Sequence, residues 1–133
     1  DGFLCDAIVR GLPVYLPSAE IGALSFRLWR PSCRLRRDGE GVLAPCVVAS
    51  PPPSSGGMFI VPGRAFDADG GRVGRGRGYY DRSLGELAPG NLVIGVGYEC
   101  QLLARVPRDP WDRPVHGVVT ETRSCVALPP REN

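Results

Sequence analysis

The chain has 133 residues and a formal net charge of +2, the length of one ordinary domain and too weakly basic to bind nucleic acid by bulk electrostatics. Its 18 glycines and 14 prolines argue against an all-helical bundle, because these are the poorest helix formers, while an apolar share of 43% still permits a packed core. No run approaches the ~20 apolar residues that cross a bilayer, and the first residues, Asp1-Gly2-Phe3-Leu4-Cys5, show no signal peptide and no initiator Met.

Phe3, Leu4, Ala7 and Ile8 recur at helical spacing and run into Gly11, a C-cap residue, which predicts the end of a helix. Val14-Tyr15-Leu16 predicts a short strand stopped by Pro17. Over 24–29, Leu24, Phe26 and Leu28 alternate with Ser25, Arg27 and Trp29, the period of a half-buried strand. The charged stretch 34–41 reads as a solvated turn region, since Asp38 and Glu40 interrupt its arginines. Residues 50–57 (SPPPSSGG) carry no periodicity and read as an internal loop of a single domain, 1–133.

Residues 58–61, 92–96 and 117–120 are continuous apolar runs, the pattern of strands covered on both faces in a parallel sheet. Between the first two, Tyr80, Leu84 and Leu87 mark one face of a short helix over 78–87. Strand, glycine-rich loop, helix and strand make a βαβ unit, so the predicted class is α/β, a mostly parallel sheet flanked by helices. The tail 122–133 has no strong pattern beyond a candidate edge strand at 125–128.

Cys5, Cys33, Cys46, Cys100 and Cys125 are odd in number, widely spaced and without a C-x-x-C pair, which speaks against a disulfide framework or structural zinc. Most sit beside apolar residues, as in Cys46-Val47-Val48, and read as small buried hydrophobes in a reducing, cytoplasmic compartment. All 16 basic residues are Arg. Either codon bias or the forked recognition of anions accounts for that.

The segment 67–81 carries the chemistry. Asp67-Ala68-Asp69-Gly70-Gly71 is turn composition. Gly74, Gly76 and Gly78 alternate with Arg75 and Arg77 and lead directly into the helix. Alternate glycines let backbone N–H groups approach an anion, and a helix N-terminus pointed at the same place adds partial positive charge. Arg72, Arg75 and Arg77 supply charge-assisted donors for phosphate oxygens, and Asp81, one turn inside the helix, is placed to hold Mg²⁺. The spacing matches neither the Walker A loop nor the dinucleotide fingerprint. A phosphate-binding loop, a merely flexible loop and an RG-type RNA-binding segment remain the three readings of these residues.

Residues 61–84, VPGRAFDADGGRVGRGRGYYDRSL, closely resemble the signature of the 5-formyltetrahydrofolate cyclo-ligase family, P-G-x-x-F-D-x-x-G-x-R-[LV]-G-x-G-x-G-Y-Y-D-x-x-L. The resemblance continues through Ile94-Gly95-Val96-Gly97-Tyr98, Gln101, Val106-Pro107, Asp112 and 118–121, and loosely upstream through Arg10-Gly11 and 14–17. It implies a three-layer sandwich of the NagB/RpiA/CoA-transferase type. It also implies a monomeric enzyme that cyclises 5-formyltetrahydrofolate to 5,10-methenyltetrahydrofolate with Mg²⁺ and ATP, releasing ADP and phosphate. In this family the formyl oxygen attacks the γ-phosphate, and ring closure then expels phosphate.

By matching positions, Arg72, Val73, Gly74, Arg75, Gly76, Arg77, Gly78, Tyr79 and Tyr80 line the ATP phosphates. Arg75, Arg77 and Tyr79 lie between phosphate and formyl group as the catalytic set. Residues 75–80 face the folate, and Asp81 and Asp112 are the metal carboxylates. The resemblance places the start of this chain after the family's basic first helix and its first strand. Val42-Leu43-Ala44-Pro45 stands where the family has an acidic or polar residue before Pro. A nucleotide- or folate-binding remnant without turnover is the alternative. Each residue also has a plainer reading: Tyr79 and Tyr80 as core aromatics, at least one facing the site; Asp112 and Asp67 as turn residues; Trp29 and Trp111 as packing; His116 as a surface or strand-end residue; Glu99 as functional or solvated.

Overall fold

The computed structural model describes residues 2–52, 55–86 and 90–126. The chain divides into two compact units, Asp1–Pro53 and Ser54–Asn133, and the boundary falls inside the stretch 50–57.

In the first unit, helix α1 (Gly2–Val9) ends at Gly11, which takes φ +80°. Gly11 N–H donates to Ile8 O at 2.9 Å and Leu12 N–H to Ala7 O at 3.0 Å, the paired bonds of a Schellman cap. Strands β1 (Val14–Glu20) and β2 (Ala23–Trp29) pair antiparallel from Val14↔Trp29 to Glu20↔Ala23. Pro17 does not stop β1 but lies in the ladder opposite Phe26. Among the described residues β1 has only β2 as a sheet partner, and an open-edged strand tolerates a residue without an N–H.

Arg27 and Trp29 are the buried positions of β2, while Leu24, Phe26 and Leu28 are half-buried. Arg27 is held by acceptors: its Nη1 donates to Val47 O at 2.9 Å and its Nη2 to Glu20 Oε1 at 2.5 Å. The charged stretch 34–41 folds into a hairpin of β3 (Leu35–Arg37) and β4 (Leu43–Pro45). Asp38 shapes its turn, accepting from the N–H groups of Glu40 and Val42, and reaches Ala19 N–H of β1 at 2.7 Å.

The second unit runs β5 (Met58–Pro62), β6 (Ala65–Asp67), β7 (Arg72–Val73), α2 (Tyr79–Gly85), β8 (Leu92–Val96), a 3₁₀ turn (Glu99–Gln101), β9 (Leu102–Leu103), β10 (Gly117–Val119) and β11 (Ser124–Val126). The three apolar runs form the parallel strands β5, β8 and β10 of a sheet ordered β11-β10-β8-β5, with β11 antiparallel at the edge. This is the expected βαβ unit in a mixed α/β fold. Leu87 and Leu128, assigned to the helix and the edge strand, lie outside the described residues. A small second sheet, β7-β6-β9, was not visible in the sequence.

One face of the larger sheet carries Val61, Val93 and Val118, which form the core with Phe66, Leu84 and Val115. Met58, Ile60, Leu92, Val96 and Val119, from the other face, are exposed. The continuous runs therefore report apolar side chains on both faces, of which α2 and β6 cover one.

Phe66 is fully buried, and its ring lies against Gly63, Gly95 and Gly97. A Cβ at Gly63 would sit 2.7 Å from the ring's Cζ, and one at Gly95 would overlap the ring edge. The glycines of the Pro-Gly and Ile-Gly-Val-Gly strings thus make room for one aromatic side chain.

The cysteines are not buried. Cys46 and Cys100 are exposed and Cys5, Cys33 and Cys125 half-buried, all as free thiols. Neighbours in an extended segment point to alternate faces, so apolar flanks do not report where a thiol points. Trp29 packs as expected, but Trp111 is exposed in a turn. His116 lies at the start of β10, where its Nδ1 accepts from Val93 N–H at 2.9 Å and its own N–H donates to Val93 O. No described helix is long and apolar enough to cross a membrane.

At the carboxyl ends of β8 and β10, Glu99 accepts from the hydroxyls of Thr120 and Thr122, each at 2.7 Å, and pairs with Arg123. These bonds, from Thr120 first, hold its carboxyl at about 2, below its ordinary 4.5. A depressed carboxylate pKa stabilises the fold fully above the unfolded value, and that contribution is lost as pH falls through the folded one. Glu99→Gln should therefore flatten the decline of melting temperature between pH 4.5 and pH 2; an unchanged acid limb would show that the clasp carries no stability. Gly95→Ala should destabilise the chain by about 1–3 kcal/mol through overpacking. In chemical denaturation the loss should shrink when Phe66→Leu is added, and additive losses would contradict the contact.

Candidate active site

The segment leading to the glycine loop is rooted in the turn between β6 and β7. Asp67 N–H donates to Gly71 O and Gly70 N–H to Asp67 O, both at 3.1 Å, with Gly70 at φ +86°. The Asp67 carboxylate is fully buried. Its Oδ1 accepts from Asp69 N–H at 3.0 Å, Gly71 N–H at 2.8 Å and Arg108 Nη2 at 2.8 Å, and its Oδ2 from Val106 N–H at 3.0 Å. Burial alone would push this carboxyl up. The N–H groups of Val106 and Gly71 and the Arg108 guanidinium outweigh it and hold the group below the usual carboxylate range. Asp67 shapes its turn as the composition suggested, and it also reaches a segment some forty residues away.

Arg72 follows in β7, with a side chain only 4% exposed. Its Nη1 donates to Pro62 O at 3.0 Å, and its Nη2 lies 3.3 Å from Asp81 Oδ2. The guanidinium stands 5.6 Å over the Tyr80 ring, and its Nε is buried without a hydrogen-bond partner. Arg72, Tyr80 and Asp81 thus form one cluster beneath the loop.

Gly76 (φ +84°) and Gly78 (φ +68°) take the left-handed backbone that side chains disfavour, and Gly78 is the N-cap of α2. Space is open above Gly76. At Gly74 a Cβ would press on Arg72 Nη1 at 3.2 Å. Arg75 and Arg77 are exposed on the loop, and Val73 is half-buried at its root. The two tyrosines diverge as consecutive helix positions must. Tyr80 packs on the core, whereas Arg82 stands 5.6 Å over the Tyr79 ring and donates to Arg77 O at 3.1 Å.

Asp112 lies in another segment. Its Oδ2 accepts from Asp109 N–H at 2.7 Å and its own N–H donates to Asp109 O at 3.0 Å. Asp81 and Asp112 are therefore held by different partners, Arg72 and Asp109. Among the described residues no group of three or more His, Cys, Asp and Glu side chains is placed to hold a metal. Mg²⁺ commonly takes one or two carboxylates and completes its shell with phosphate and water, so the hard oxygens of Asp81 and Asp112 fit that ion.

Sequence reasoning missed Arg108, Arg82 and the bonds of Gln101. Gln101 Nε2 donates to Gly63 O and Arg64 O at 2.9 and 3.1 Å, and its Oε1 accepts from Tyr98 N–H, tying the end of β8 to the β5–β6 connection. The Gln101 bonds to Gly63 and Arg64 and the Arg108 bond to Asp67 span 37 to 41 residues and leave no local pattern.

Comparison with known proteins agrees with this architecture. The 5-formyltetrahydrofolate cyclo-ligase of Mycolicibacterium smegmatis is 36% identical over 100 residues, covering 69% of this chain and 52% of that protein. The NMR structure of Aquifex aeolicus 5,10-methenyltetrahydrofolate synthetase superposes with a TM-score of 0.72 at 33% identity, over 98% of this chain and 66% of that one. The synthetase of Mycoplasma pneumoniae shares the fold, with a TM-score of 0.60 at 23% identity, over 89% of this chain and 62% of that one. The chain spans about half the length of the curated relatives it matches. The model of one family matches residues 3–121, loop, Gln101 and Asp112 included, and by that match the chain belongs to the 5-formyltetrahydrofolate cyclo-ligase family.

Proposed function

We propose that this chain carries the Mg–ATP site of an ATP-dependent cyclo-ligase that converts 5-formyltetrahydrofolate to 5,10-methenyltetrahydrofolate. The observation that carries the reading is the loop 74–78, in which two exposed arginines alternate with two left-handed glycines, and Asp81 lies one turn beyond. Open space above Gly76 leaves the backbone accessible to phosphate oxygens.

Bound Mg–ATP supplies the phosphoryl group that makes the formyl oxygen a leaving group. The protein's part in such chemistry is positioning and charge neutralisation. Arg75 and Arg77 bind and neutralise phosphate oxygens from either side of Gly76. Asp81 and Asp112 hold the metal, with Asp81 oriented by Arg72 at 3.3 Å. Tyr79 stands beside the loop where the formyl group meets the phosphate, and Tyr80 walls the folate. Five widely spaced cysteines without a C-x-x-C pair suit a reducing, cytoplasmic compartment.

The second reading is a nucleotide- or folate-binding unit without turnover. Methenyl absorbance with 5-formyltetrahydrofolate and Mg–ATP separates the two. The enzyme reading predicts product, and a rate about 100-fold lower in Arg75→Met and in Arg77→Met. The binding reading predicts ATP affinity that is lost in Asp81→Ala, with no product at all. Neither product nor ATP binding would contradict both.

A further inference from the structure

Each proposed metal carboxylate is reached from Asp67 by a short relay. Asp67 Oδ1 receives Gly71 N–H; the next residue is Arg72, whose guanidinium meets Asp81. The same oxygen receives Arg108 Nη2; the next residue is Asp109, whose N–H is held by Asp112. Oδ2 adds Val106 N–H on the second path.

A carboxylate that only shaped its own turn would need the N–H groups of Asp69 and Gly71 and no more. Asp67 instead points its second oxygen across the fold and is fully buried there, where an unpaired charge would be strongly unfavourable. Gly71 marks the closeness of the junction: a Cβ there would fall 2.5 Å from Asp67 Oδ2 and 2.5 Å from Val106 Cγ2.

We propose that Asp67 is a positioning residue that sets Asp81 and Asp112 relative to one another, one relay through Gly71 and Arg72 and the other through Arg108 and Asp109. This rests on the reading of those two carboxylates as metal ligands given above. Asp67 itself would not be a metal ligand. Its contribution is to fix the distance between two arms that are otherwise held in separate turns.

Asp67→Asn tests this directly. Asparagine keeps the shape and one carbonyl oxygen for the turn, but it places an NH₂ where Val106 N–H was accepted and removes the charge facing Arg108. Hydrogen exchange followed by mass spectrometry should show faster exchange in 69–78 and in 105–112, with β8 and β10 protected as in the wild type. By titration calorimetry, affinity for Mg–ATP should fall by about tenfold, as for loss of a partner that orients metal ligands. Affinity for ATP in excess EDTA should not change. Arg108→Met, which removes a half-exposed side chain, should loosen 105–112 and leave 69–78 protected. Deprotection that also spreads through β8 and β10, or is absent, would overturn the positioning role. So would equal losses of affinity with and without Mg²⁺. If the wild type binds no Mg–ATP, the reading of the carboxylates fails, while the exchange pattern still decides whether Asp67 couples the two segments.

Discussion

The buried ring of Phe66 is the contact on which the second unit depends. It stands on β6, in the small sheet, and fills space that Gly95 leaves on β8, in the large one. Large aromatic side chains bring much apolar area to a contact, and here the area joins two sheets that share no strand. Because Phe66 is fixed, Asp67 is fixed beside it, and with Asp67 the root of the glycine loop. Core packing and site geometry thus meet at two adjacent residues, one apolar and one charged, both fully buried.

From that root the site is organised by charge. Asp67 takes N–H groups from two segments, Arg72 pairs with Asp81 below the loop, and Arg75 and Arg77 are left exposed above it. The arginines divide into one held inside by protein groups and two presented outward. On the proposed reading that division separates positioning from binding, and it follows from burial: a guanidinium that is 4% exposed has its partners within the fold. The loop glycines serve the same end, with backbone angles at Gly76 and Gly78 that other residues adopt only under strain.

Much of this was legible in the sequence. Continuous apolar runs located β5, β8 and β10, spacing located α2, and Gly11 marked the end of α1, because these signals act over a few residues. The glycine–arginine alternation singled out the loop for the same reason. Strands of two or three residues, such as β7 and β9, have no period to detect. The partnership of Asp67 with Arg108, 41 residues apart, is a property of the fold. The residue type of Arg72 points to an anion, and only the fold shows its guanidinium buried against Pro62 O and Asp81. Cysteine flanks misled, and so did Trp111, since exposure is decided by the direction of a turn.

The central claim is that the glycine loop and the two carboxylate arms form a single Mg–ATP site. Amide chemical-shift mapping in ¹⁵N-labelled protein, titrated with ATP and then with Mg²⁺, tests it most directly. The account predicts that ATP shifts Gly74, Gly76 and Gly78 first, and that Mg²⁺ then moves Asp81 and Asp112 together. Shifts confined to the first unit, or Mg²⁺ responses at only one of the two carboxylates, would contradict it.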